Sequence, residues 1–170
     1  MIIDDFLSGP HTMTVTSGQD EDVQPGAMVG GQRFTRLLTA STFGHPGTLS
    51  VGGPGGLVLS TGVDVFHRLE IEYGNQGQLL GVDLNGMSSI RTTFATNDLM
   101  VNYNVLMADL LGGWVVNGVN TGGVTDVDLP LDGFKGPGID PDQISAVSLV
   151  FQTAAVRAGN DYQVTSLELV

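Results

Sequence analysis

Hydrophobic and polar positions alternate with period two along much of this chain. Val65, His67, Leu69, Ile71 and Tyr73 fall on one side, and Arg68, Glu70 and Glu72 on the other. Leu99, Val101, Tyr103, Val105 and Met107 form a second apolar row, with Asn102 and Asn104 opposite; Val147, Leu149 and Phe151 form a third. Successive side chains of an extended chain point to opposite faces, so each row reads as a strand with one buried and one wet side. Shorter strands are predicted near 2–7, 11–16, 33–40, 48–52, 57–60, 90–95, 113–116, 124–129 and 162–170. About a dozen strands with turn signals every ~8–12 residues is the pattern of a sandwich or barrel.

The punctuation agrees. Gly52-Gly53-Pro54-Gly55-Gly56 reads as a hairpin loop, and Asn85-Gly86 and Asn117-Gly118 read as tight turns. A single helical turn is expected near Asp140-Pro141-Asp142-Gln143, with Asp140 as cap and Pro141 at the first helical position. The acidic run Gln19-Asp20-Glu21-Asp22 before Pro25-Gly26 reads as a solvated loop, or as a contributor to a divalent-cation site. No linker or composition shift divides the 170 residues, so residues 1–170 are read as one domain.

Composition narrows the classes. Gly is 25 of 170 and charged residues are only 14%, which excludes a helical bundle and a disordered chain. Six bases against 18 acids give a net charge of −12, which argues against nucleic-acid binding and against anionic membrane surfaces. The acidity fits solubility or contact with divalent cations. The absence of cysteine removes disulfides, Cys-ligated metals and thiol chemistry. No apolar run reaches the ~18 residues of a transmembrane helix, so no membrane insertion is expected. The N-terminal Met1-Ile2-Ile3-Asp4-Asp5 lacks the basic and apolar regions of a signal peptide.

The order of segments carries a resemblance. Ile2-Ile3-Asp4-Asp5-Phe6 opens the chain, Gly30-Gly31-Gln32-Arg33 follows, and Gly81-Val82-Asp83-Leu84 precedes a long strand. Asp128-Leu129-Pro130-Leu131-Asp132-Gly133-Phe134 comes next. Asp142-Gln143-Ile144-Ser145-Ala146-Val147-Ser148-Leu149 then leads toward a last strand, Asp161-Tyr162-Gln163-Val164-Thr165-Ser166-Leu167-Glu168-Leu169. This order resembles the galactose-binding-like jelly-roll domains found in carbohydrate-binding modules and in PEP-CTERM-anchored bacterial surface proteins. The resemblance implies an all-β antiparallel sandwich of jelly-roll type and a secreted or cell-surface location; the sequence leaves a cytoplasmic location open. It also implies a structural calcium ion where the first and last strands meet; Asp5 and Asp161 are the candidate ligands there, the other reading being that both carboxylates accept turn amides at that end of the sandwich.

Catalytic motifs are sparse. His11, His45 and His67 belong to no recognisable triad or zinc motif; His67 reads as a satisfied core-edge residue, and His11 and His45 as exposed. Glu70 and Glu72 share a strand face at a spacing of roughly 6–7 Å, compatible with a glycosidase pair and equally with a solvated surface. A non-catalytic glycan-binding domain is the leading reading, with Trp114 as a stacking platform between Gly112-Gly113 and Val115-Val116, and Asn102 and Asn104 reading sugar hydroxyls. A self-assembling module of a surface layer, filament or virion is the alternative. A small enzyme with a pocket between the sheets is the third.

Overall fold

A computed structural model describes residues 1–74, 78–123, 125–153 and 158–170. Over these residues the chain forms β1 (Ile2–Asp4), β2 (His11–Val15), β3 (Gly18–Pro25), β4 (Gln32–Ser41), β5 (Gly47–Gly53), β6 (Gly56–Thr61) and β7 (Val65–Gly74). The second half adds β8 (Ser89–Asn97), β9 (Val101–Asp109), β10 (Trp114–Thr121), β11 (Asp126–Pro130), β12 (Lys135–Gly138), β13 (Ile144–Gln152) and β14 (Asp161–Leu169). Two antiparallel sheets result. The front sheet has the order β12-β10-β9-β13-β7-β4-β3; the back sheet has β11-β8-β14-β6-β5-β2, with β1 also on β14. The fold is an all-β antiparallel sandwich of jelly-roll type, as the alternation and the resemblance predict.

The core lies where the alternation puts it. Leu69, Ile71, Val101, Val105, Leu149 and Phe151 are fully buried. Phe151 stacks on Tyr103 at 4.9 Å within the front sheet and on Tyr162 of the back sheet at 5.5 Å, so the aromatic cluster joins the layers. His67 is buried as a core histidine. Its Nδ1 pairs with Thr153 Oγ1 at 3.2 Å and its Nε2 with Tyr162 OH at 3.4 Å. Burial lowers its pKa to about 4, so the ring is neutral near pH 7.

A buried ion pair forms a second tie between the sheets. Arg33 Nη1 donates to Asp4 Oδ2 at 2.6 Å, and Tyr73 OH donates to the same oxygen at 2.8 Å. Asp4 Oδ1 accepts the Phe6 amide at 2.7 Å, while Arg33 reaches Gln24 Oε1, Ser8 O and Gly9 O at 3.0–3.3 Å. Every nitrogen of the guanidinium is used, which is the condition under which a buried charge is tolerable.

Four expectations are corrected. The acidic run is part of edge strand β3, with Glu21 opposite Arg36 and Asp22 opposite Thr35; charge on an edge strand discourages pairing with other chains. Asn117-Gly118 lies inside β10, whose ladder to β9 runs from Trp114↔Ala108 to Thr121↔Val101. The turn falls instead at Leu110–Gly113, where Asp109 Oδ1 accepts the Leu111 and Gly113 amides, both at 2.8 Å. Asp140–Gln143 is a β-turn, not a helical one: Gln143 N bonds Asp140 O at 3.0 Å and the chain then enters β13. His11 is half-buried, not exposed, because its Nδ1 pairs with Asp22 Oδ2 at 2.9 Å.

Candidate functional site

The outer face of the front sheet gathers most of the residues singled out in the sequence. Alternation and register fix who sits beside whom. Along β9 and β10, Trp114 lies beside Ala108, Val116 beside Leu106, Gly118 beside Asn104, and Asn120 beside Asn102. On β13 and β7, Gln152 is opposite Arg68, Val150 opposite Glu70, and Ser148 opposite Glu72. On β4, Leu38, Arg36 and Phe34 continue the same rows. The face grades from amides and apolar groups on β9 and β10 to charged groups on β7 and β4.

Trp114 opens β10 and is 45% exposed. Its ladder partners are Ala108 and Gly138, and Gly112 and Gly113 precede it, so little side-chain volume covers the indole. It lines a groove of about 570 Å³ together with Leu106, Ala108, Leu110, Asp109 and the two glycines. The Asp109 carboxylate is committed to the turn. Backbone amides, first that of Asp140 and then those of Gly113, Leu111 and Gly112, hold its pKa below the usual range.

At the other end of the same lane the amides form a ladder. Asn104 Nδ2 donates to Asn102 Oδ1 at 2.5 Å, and Asn102 Nδ2 donates to Asn120 Oδ1 at 3.1 Å. The bonds run one way, and among the described residues Asn104 Oδ1 and Asn120 Nδ2 have no hydrogen-bond partner. Gly118 is required here: a Cβ at that position would collide with the Asn104 amide. Asn120 was missed in the sequence because the Asn-Gly dipeptide hid the period-two row Trp114, Val116, Gly118, Asn120. Trp114 and Asn104 share the face but are separated by four residues of strand, about 13 Å. The structure therefore brings Asn102 and Asn104 together and sets Trp114 apart on the same surface.

Glu70 and Glu72 do share this face, and Glu70 is tied down. Arg36 Nη2 reaches its Oε2 at 2.6 Å, and Arg68 Nη2 reaches its Oε1 at 2.6 Å. Glu72 has its pKa raised by burial, an effect that Arg36 opposes and Glu70 adds to.

The two calcium candidates, Asp5 and Asp161, do not come together. Asp4 pairs with Leu167 and Asp161 with Ser60, so five to six residues of β14, about 15–20 Å, separate Asp5 from Asp161. Asp5 Oδ1 accepts the Leu7 amide at 3.0 Å, and the Asp161 amide donates to Asp98 Oδ1 at 2.9 Å. Among the described residues no group of three or more His, Cys, Asp or Glu is placed to hold a metal ion.

No family model matches the chain, and no curated protein matches it. Solved structures with a similar arrangement include the family 11 carbohydrate-binding module of a cellulosomal cellulase of Clostridium thermocellum. That module is 12% identical, with a TM-score of 0.47, over 100% of this chain and 93% of that one. The same kind of module in complex with a β-1,3-1,4-mixed-linked tetrasaccharide is 10% identical, with a TM-score of 0.45, over 99% of this chain and 94% of that one. A family 61 module in complex with β-1,4-galactotriose is 10% identical, with a TM-score of 0.42, over 91% of this chain and 90% of that one.

Proposed function

We propose that this chain is a non-catalytic carbohydrate-binding domain, acting outside the cell or at its surface, where such polymers lie. Its site is the outer face of the front sheet. The observation that carries the reading is the lane along β9 and β10, with a half-exposed indole at one end and an oriented amide ladder at the other. A sugar ring presents an apolar C–H face and an equatorial fringe of hydroxyls. One ring of a chain packs its apolar face on Trp114; a ring further along, about 13 Å away, pairs its hydroxyls with Asn102, Asn104 and Asn120, whose amides each offer donors and acceptors. An open face of this kind suits a chain of sugars better than one ring. Binding needs no acid–base pair, and Glu70, held by two guanidinium groups, is poorly free to act as one.

Affinity electrophoresis in gels containing mixed-linkage β-glucan, xyloglucan, galactan or arabinan tests this. At least one gel should retard the wild type, and Trp114→Ala should remove the retardation while leaving the thermal midpoint unchanged. Retardation unaffected by both Trp114→Ala and Asn104→Ala would move the site off this face. Self-association of the free protein in sedimentation, with no polymer bound, would favour the assembly alternative.

A further inference from the structure

The charged half of the same face holds a second groove that the indole–amide lane does not use. It has a volume of about 220 Å³ and is lined by Gln19, Arg36, Leu38, Arg68 and Glu70. Glu70 sits between the two arginines, with Arg36 on one carboxylate oxygen and Arg68 on the other through both Nη2 and Nε. The Arg36 guanidinium lies over the Phe34 ring, 5.7 Å from its centre. Arg36 Nε is buried and has no partner among the described residues. The side chains of Arg36 and Arg68 remain 40% and 46% exposed, so their outer N–H groups face solvent.

A surface ion pair by itself contributes little to stability. This arrangement is also costly in composition: only six bases exist in the chain, and two of them converge on one carboxylate. What it does produce is a rigid, mutually neutralised set of donors and acceptors on two adjacent strands, β4 and β7. Such a set suits adjacent hydroxyls, which accept from guanidinium and donate to carboxylate. It suits an anion poorly. Glu70 already occupies the space between the cations, and Glu21 and Glu72 border them.

We infer that this groove is a second hydroxyl-reading subsite, so that the face takes a long neutral glycan and discriminates against short and anionic ones. The inference rests on the carbohydrate reading above. The two grooves lie three strand steps apart across the sheet, from β10 to β7, and six residues apart along it. Their separation is on the order of 25 Å. A disaccharide can fill one groove only; a polymer can engage both, and the second contact then acts at high effective concentration.

The test is isothermal titration with the neutral polymer that retards the wild type most, with its disaccharide, and with polygalacturonate. Arg68→Gln and Glu70→Gln should each weaken the polymer about tenfold or more. Both should leave the disaccharide affinity of the indole groove, read from Trp114 fluorescence, and the thermal midpoint unchanged. Trp114→Ala should weaken polymer and disaccharide alike. If Trp114→Ala weakens the polymer and Arg68→Gln and Glu70→Gln do not, the second subsite is overturned and the carbohydrate reading stands. If no neutral polymer binds, or if none of the three substitutions matters, both are overturned. Polygalacturonate binding tighter than any neutral polymer would overturn the assignment of ligand class.

Discussion

Arg33 and Arg36 are three residues apart on β4, and the pleat sends them to opposite sides of the sheet. Arg33 points inward, is wholly buried, and spends every nitrogen on Asp4, Gln24 and two backbone carbonyls. Arg36 points outward, shares Glu70 with Arg68, and keeps part of its guanidinium in water. Both are arginine–carboxylate pairs with contacts of 2.6 Å. Burial separates their roles. Removing one partner inside leaves a charge with no water to receive it; removing one outside costs almost nothing to the fold and leaves any effect to appear in binding.

That contrast can be broken most forcefully from the inside. Asp4→Ala strands the Arg33 charge and should lower unfolding free energy by about 3–5 kcal/mol, near the ~3–5 kcal/mol expected for Phe151→Ala in the aromatic cluster. Urea denaturation measures both. Pairing Asp4→Leu with Arg33→Met should recover a large part of the loss, because the isolated charge is then gone. A loss under 1 kcal/mol for Asp4→Ala would mean water reaches the pair.

His67 supplies a pH-dependent version of the same penalty. Its folded-state pKa, about 4, lies below its ordinary value of 6.5, so the unfolded chain binds the proton more readily between these values. Stability from this group is complete above pH 6.5 and is lost as pH falls toward 4, by roughly 3 kcal/mol in all. His67→Gln should flatten that part of the stability–pH curve. A wild-type curve without a slope between pH 6.5 and 4 would show that the ring finds a counter-charge.

The outside substitutions sharpen the contrast with small numbers. Arg68→Gln should change stability by less than about 1 kcal/mol. Arg91→Gln, which breaks the pair with Asp128 on the back sheet, should move neither the thermal midpoint nor polymer binding. A binding loss from Arg91→Gln would put the site on the wrong sheet.

Much of this was readable from residue order, for identifiable reasons. Rows such as Leu69–Ile71–Tyr73 and Val101–Tyr103–Val105 belong to central strands, where one face is dry and the pattern is clean. Edge strands lack that signal. β3 carries Asp20, Glu21 and Asp22, and β12 is Lys135–Gly138, short and exposed throughout. The Asp4–Arg33 pair joins residues 29 apart in sequence, on different sheets, and nothing local announces it. At the site, Trp114, Asn102 and Asn104 were visible as unusual residues on alternating strands. Asn120 was masked by a dipeptide whose glycine serves a neighbour's amide instead of a turn. The Arg36–Glu70–Arg68 cluster needed the register of β4 against β7 before it could be seen.

Trp114 is the only tryptophan of the chain, so its emission reports on the central claim without interference. The decisive measurement is a fluorescence titration of the wild type with the neutral polymer that retards it in a gel. The account predicts a saturable blue shift as the sugar covers the half-exposed indole, at a midpoint equal to the calorimetric one and weakened in Asn104→Ala. Polymer binding by calorimetry with an unchanged Trp114 spectrum would contradict it.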